Sequence, residues 1–419
     1  MGADMMATGP LSMFGADKST ADAAPERVLD SQMENGAQSE IIEGLLNRRS
    51  VLASGPYAQV ANAVLAANSR AAEADLRAAK LRAEARANNW LPTLGPSVSL
   101  SSLGDVVTSL VVEQVLFDNG RKKAERDYAA ADVEVAAVNL AQDTNDRVLA
   151  GLELHLSAQA ATAKANVNMA ALEKMERYEY VMSERVKGGV SSRVDMLVVQ
   201  QKVNQMRSDM ASDQEKATAA MSELGAMTAA PLTGVTGLST LNDGNVDSTP
   251  LTVLKARAES SRAIAEATAA RAGFLPSLTA GGDVSGGGGL GLALGAANGL
   301  GFGTGASLKA VDAQKAAVAA RVGQVQEDAN RSLRALEGEL ASLQRKAAQS
   351  QTLADQAAAN YDIYAEQQRA GQRAVPDVVG IFETKVRTER EAVSLKYEIA
   401  RVMLKIAALK GTLVNGEQI

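Results

Sequence analysis

The chain has 419 residues, of which 3% are aromatic and none is cysteine, and its formal net charge is −6. Disulfides, thiolate metal sites and lipid-bearing cysteines are therefore excluded, and an acidic balance without a basic stripe argues against a nucleic-acid partner. Sparse aromatics and abundant alanine supply little volume for one thick core and suit helices whose backbones approach closely. No run of about 18 apolar residues is present, so no membrane-spanning helix is expected.

Residues 1–56 read as an irregular segment with one short helix over Glu40–Ser50, where Ile41, Ile42, Leu45 and Leu46 share a side. No signal peptide is legible: Met5 to Phe14 is faintly apolar, lacks preceding basic residues and is broken by Gly9-Pro10. A removed signal, a misassigned start and a cytosolic protein all fit that beginning. A helix is expected from Tyr57 to about Asn89, between Pro56 and Trp90-Leu91-Pro92. Residues 93–117 then change period. Ser97 to Ser101 alternates, Val106 to Phe117 is valine-rich, and Leu103-Gly104-Asp105 makes a turn between two strands. Each strand is about 11 residues, which suits a tilted membrane strand or an ordinary exposed hairpin equally.

A helix of about 68 residues, 120–187, follows, with Gly151 as its one weak point. At a rise of about 1.5 Å per residue it spans roughly 100 Å. A reversal at 188–191 leads into another helix to Leu224, and 226–250 reads as a linker of Thr, Gly, Pro, Asn and Asp. The order then recurs over 251–411: a helix, a glycine-rich strand region at about 277–302, a long helix at 306–370, a reversal at 371–375, and a closing helix to Lys410. Residues 412–419 read as a tail.

The recurrence is an internal duplication. Gly189 aligns with Gly371 and Asp195 with Asp377, since 371 − 189 and 377 − 195 both give 182. Trp90-Leu91-Pro92 aligns with Phe274-Leu275-Pro276, and Phe117 with Phe302. The fold class is therefore α+β, mainly α, in two repeats of long coiled-coil-like helices, each carrying a strand hairpin. A slab of such helices buries its seams only against other copies. Open strand edges in lipid must close into a barrel, and four strands per chain become twelve in a trimer.

Three motifs, each with a partner in the second repeat, carry a resemblance. They are Trp90-Leu91-Pro92, Glu113 to Arg121 (EQVLFDNGR), and Gly189 to Asp195 (GVSSRVD). Over about residues 57–411 the chain resembles the TolC family of bacterial outer-membrane efflux and secretion channels. The resemblance implies a homotrimer with a twelve-strand barrel in outer-membrane lipid and an α-helical barrel in the periplasm. Its entrance would dock a periplasmic adaptor and, through it, an inner-membrane transporter. It also implies roles by position: Asp195 and Arg373 as an ionic latch, Asp377 in an entrance ring, and Gly188, Gly189, Val190, Ala370 and Gly371 as the tips that adaptors contact. Two positions depart from the family pattern. Gln368 stands where a latch tyrosine is usual, and Gly380 where a second entrance aspartate is usual. Read without the resemblance, Asp195 and Asp377 are helix caps favoured by the dipole, and the glycines of the second strand pair leave little outward apolar surface.

Enzymatic readings have little support. His155 is the only histidine and sits mid-helix between leucines, so it is read as structural, and no metal or cofactor site is expected. The glycine-rich region at 286–305 lacks the Gly-Lys-Ser/Thr ending of a phosphate loop. The competing reading is a soluble periplasmic coiled-coil adaptor or structural protein, which would normally carry one helical hairpin rather than two.

Overall fold

Two helices of 67 and 66 residues, α4 (Arg121–Lys187) and α7 (Thr304–Arg369), dominate the computed structural model, which describes residues 39–52, 54–67, 71–100, 106–242, 248–283, 291–298 and 301–419. The other helices are α1 (Glu40–Leu46), α2 (Pro56–Ala66), α3 (Ala71–Ala87), α5 (Arg193–Ala226), α6 (Leu251–Gly273) and α8 (Val375–Leu409). A 3-10 turn, Gly416–Gln418, ends the chain. Shorter helices flank the long ones: α3 and α5 lie along α4, while α6 and α8 lie along α7 and also pack on α4.

The single helix expected over 57–89 is described as two, α2 and α3. Residues 68–70, between them, lie outside the described residues. The first helix ends at Leu46 rather than Ser50, because Arg48 to Val51 turn away to bond the C-terminal segment. Val51 N–H donates to Thr412 O (2.8 Å), Ser50 N–H to Asn415 Oδ1 (2.7 Å), and Gly416 N–H to Arg48 O (2.9 Å). Arg48, which is 5% exposed, donates to the carbonyls of Lys410 and Thr249.

These bonds correct two expectations. Residues 412–419 are not a loose tail: Leu413, Val414 and Ile419 are buried. Nor is the chain without a thick core. Ile42, Leu45, Tyr57, Val60 and Val64 meet Leu140, Val148, Leu152 and Leu156 of α4, with Leu224, Leu251 and Leu404 closing the cluster. Residues from opposite ends of the chain meet in it, which local periodicity does not report. A second core lies toward the helix reversals, where Met175, Met182, Val199, Val203 and Met206 pack against Tyr361, Val378, Val379 and Phe382. Between the two, α4 presents only Ala158, Ala161, Ala165 and Asn168 as buried residues.

His155 is structural. It is fully buried in the first core, edge-on to Tyr57, and its Nε2–H donates to Gly237 O (3.2 Å), tying the linker to α4. That bond fixes the tautomer and leaves Nδ1 without a partner among the described residues. Protonating Nδ1 would bury an unpaired charge, so burial lowers the pKa below 6.5, against a smaller opposing effect of the Gly237 carbonyl. A lowered folded pKa contributes stability that is complete above the ordinary value and is lost as pH falls through the folded one. His155→Gln should narrow the difference between melts at pH 5 and pH 7.5. An unchanged difference would assign the acid sensitivity elsewhere.

The strands β1 (Thr93–Leu100), β2 (Val106–Phe117), β3 (Ser277–Asp283) and β4 (Gly291–Gly295) form one antiparallel sheet in the order β1-β2-β3-β4. The two hairpins are thus joined by β2 pairing with β3, in the register Glu113↔Gly281 and Val115↔Thr279, with a bulge at Val115/Phe117. The outer edges of β1 and β4 have no partner strand in the described sheet. The Leu103-Gly104-Asp105 turn and the glycines at 286–289 lie outside the described residues.

Candidate functional site

Two regions of the elongated chain carry the candidate residues: the helix reversals at one end and the sheet at the other. Both reversals are Schellman turns. In the first, Gly189 N–H donates to Val186 O (3.1 Å) and Val190 N–H to Arg185 O (2.8 Å); in the second, Gly371 N–H donates to Gln368 O (3.0 Å) and Gln372 N–H to Gln367 O (2.8 Å). Gly189 has φ +71° and Gly371 φ +74°, the left-handed region that disfavours a Cβ. Nothing lies within 4 Å of where either Cβ would stand, so backbone conformation alone calls for glycine.

A side-chain bond staples each turn at equivalent positions. Arg185 Nε donates to Ser191 Oγ (3.1 Å), and Arg373 Nε donates to Gln367 Oε1 (3.0 Å). The arginine has changed sides of the turn between repeats. Arg373 also lies over the Tyr364 ring, 4.7 Å from its centroid. Within one chain, then, Arg373 is held by its own hairpin. Asp195 has no ion-pair partner among the described residues, Arg373 included.

Neither aspartate is a cap. Ser192 caps α5 by accepting from Val194 N–H (3.1 Å), and Asp195 stands at the third helical position. Asp377 holds the same position in α8, whose cap residue, Ala374, has no side-chain oxygen to offer. Both carboxylates still face the positive end of a helix dipole. Gln368 contributes its carbonyl to the second turn, Gly188 and Ala370 are the C-caps, and Gly380 is exposed one turn into α8.

The tips differ in surface. The first exposes Val190 (68%), Val194 (67%) and Leu197 (56%), an apolar patch of which the sequence singled out only Val190. The second turns Val375, Val378, Val379 and Phe382 inward and leaves Gln372, Arg373 and Asp377 outside. A run of aliphatics without a helical stripe, as at 194–198, was the available signal. Behind the tips, α7 is largely uncovered: only Ala329, Ser350, Ala354, Tyr361 and Ala365 are buried along its length.

The sheet has two unlike faces. Register places Leu94, Pro96, Leu110, Val112, Leu278, Ala280, Leu292 and Leu294 on one, and Leu94, Leu110, Leu292 and Leu294 are exposed there. Gln114 shares this face near the helix end, where its amide donates to Trp90 O (2.9 Å). The opposite face carries Thr93, Gly95, Glu113, Ser277, Thr279, Gly281, Gly291, Ala293 and Gly295, with Val111 and Val115. Four of the five glycines in the described strands fall on this second face, so the second strand pair does offer apolar surface, contrary to expectation. Trp90, Phe117 and Phe302 stand exposed where the strands meet the helices. The sequence marks them as repeat landmarks; Trp90 and Phe117 adjoin the ends of β1 and β2, and Phe302 stands two residues before α7.

No protein-family model matches the chain, and no curated protein does. Solved structures do. The outer membrane protein VceC from Vibrio cholerae superposes with a TM-score of 0.72 at 16% identity, over 85% of this chain and 97% of that one. The open state of the Neisseria gonorrhoeae MtrE outer membrane channel gives 0.70 at 16%, over 94% and 98%. The Campylobacter jejuni CmeC outer membrane channel gives 0.68 at 13%, over 95% and 94%. This chain has the outer-membrane channel fold. Identities of this size carry the fold alone, so the roles of individual residues rest on the channel-fold chain itself.

Proposed function

We propose that three copies of this chain form an outer-membrane channel that conducts substrates passively from a periplasmic pump assembly to the exterior, as the outlet of a tripartite efflux pump or a type I secretion system. The observation that carries this reading is the sheet. Leucines 38–77% exposed lie on one face, small and polar residues with Val111 and Val115 on the other, and both edges lack a partner among the described strands, at the end of helices about 100 Å long. Water penalises such a sheet, and lipid accepts it only if its edges close. Pairing β4 of one copy with β1 of the next closes twelve strands around three copies. Trp90, Phe117 and Phe302 then form an aromatic belt at the membrane surface. Neighbouring copies cover α7 and complete an α-helical barrel in the periplasm.

In this assembly the reversals form the periplasmic entrance. Gly188, Gly189, Val190, Ala370 and Gly371 are its adaptor-contacting tips, and Asp377 contributes one carboxylate per copy to the opening. Asp195 of one copy and Arg373 of another form the latch, through the Nη donors that the Nε–Gln367 bond does not use. An adaptor is a poorer fit, since two hairpins share one sheet here.

The protein should fractionate with the outer membrane, run as a trimer that dissociates on heating, and conduct in planar bilayers. Recovery as a soluble monomer from native membranes and periplasm would reject the channel.

A further inference from the structure

We infer that Glu113 makes the barrel lumen selective for cations, an inference that rests on the channel reading above. The strands β1 to β4 contain two ionisable residues, Glu113 and Asp283, and no lysine or arginine. Glu113 is paired by backbone with Thr93 on one side and Gly281 on the other, and all three occupy the face opposite the exposed leucines. A carboxylate facing lipid would be stripped of water, so that face must line the aqueous lumen. Glu113 is exposed and has no ion-pair partner among the described residues, and its neighbours Thr93 and Gly281 are too small to cover it. By backbone register Asp283 lies opposite Val111, at another odd position of the same ladder.

The width of the lumen decides whether such a charge can act on passing ions. Twelve strands at a spacing of about 4.8 Å and a tilt of about 40° enclose a backbone diameter of about 24 Å. A glutamate reaching about 5 Å inward from that wall stands about 7 Å from the axis, less than the screening length of about 10 Å at 0.1 M salt and more than the roughly 3 Å at 1 M. Three equivalent carboxylates at one level therefore put the whole cross-section in a negative potential at low salt and only the wall at high salt. The lumen wall has no positive residue in the described strands to offset them. Cations, including cationic solutes, are enriched at this level and anions are depleted.

The test is the reversal potential of reconstituted trimers across a KCl gradient centred on 0.1 M. The wild type is expected to pass K+ severalfold better than Cl−, Glu113→Gln to lose at least half of that ratio, and Glu113→Lys to favour Cl−; at 1 M all three should converge. A Glu113→Gln trimer that conducts with an unchanged reversal potential would overturn the inference while leaving the channel intact. Trimers that conduct neither as the wild type nor with the latch removed by Arg373→Ala would overturn the channel reading itself, and this inference with it. Trimer dissociation on heating, measured for each variant, separates a changed lumen from a failed assembly.

Discussion

Arg390→Met should destabilise the protein by about 3–5 kcal/mol, the cost of leaving one member of a buried ion pair alone. Arg390 on α8 pairs with Asp213 Oδ2 on α5 (2.8 Å), a charge contact outside hydrogen-bond geometry, and donates to the Lys164 carbonyl of α4 (3.5 Å), so one guanidinium bridges three helices. Side-chain exposures of 22% and 7% bury the carboxylate and leave solvent only partial access to the guanidinium. Its location raises the effect. The pair lies between the two apolar cores, where α4 offers only alanines and Asn168, so nearby packing cannot take over. The double replacement Asp213→Leu/Arg390→Met should recover most of the loss, because it removes both charges. Arg390→Lys should fall between, keeping the charge and losing the fork that reaches two helices. Thermal melts followed by helical circular dichroism in detergent decide the matter. Equal losses in the single and double variants would assign the contribution to packing of the arginine stem.

The same contrast between local and distant forces explains what the sequence discloses. The long helices α4 and α7 are readable because nothing in them breaks a helix, and the reversals because a Schellman turn demands glycine at one defined place. Gly151 reads in the sequence as merely tolerated. It has a reason: a Cβ there would stand 2.7 Å from Val64 Cγ2, where α2 crosses α4. Helix crossings leave no periodic trace in either helix. For the same reason the first core is not legible, since Ile42, Leu45, Leu413 and Ile419 come from opposite ends of the chain. Strand alternation is visible in 93–117, but the β2–β3 pairing that merges the hairpins is not, because register between distant strands is set by assembly. At the reversals the positions of Asp195 and Asp377 are legible, whereas their relation to the caps is not. Ser192 takes the capping bond in one repeat, and an alanine stands in its place in the other.

Replacing Gly189 by glutamate should abolish export, by about tenfold or more, while trimers and bilayer conductance persist. The two effects separate because of the local geometry. Gly189 sits at φ +71° with no atom within 4 Å of where a Cβ would stand, so a side chain meets no clash and faces only the left-handed conformational penalty of about 1–2 kcal/mol. That sum is small beside two apolar cores. The surface consequence is larger. Val190, Val194 and Leu197 make this tip an exposed apolar patch, and a carboxylate at its apex would lose its hydration whenever a partner covers it. Gly189→Asn supplies the control, since asparagine accepts the left-handed conformation without a charge and should export nearly as the wild type does. Gly371→Glu tests the other tip, whose surroundings are polar; its loss should be smaller if the apolar patch supplies the docking energy. Export by Gly189→Glu at the wild-type level would remove this tip from the docking surface. Equal losses in Gly189→Asn and Gly189→Glu would show that the turn's conformation, rather than its exposed face, is what the partner reads.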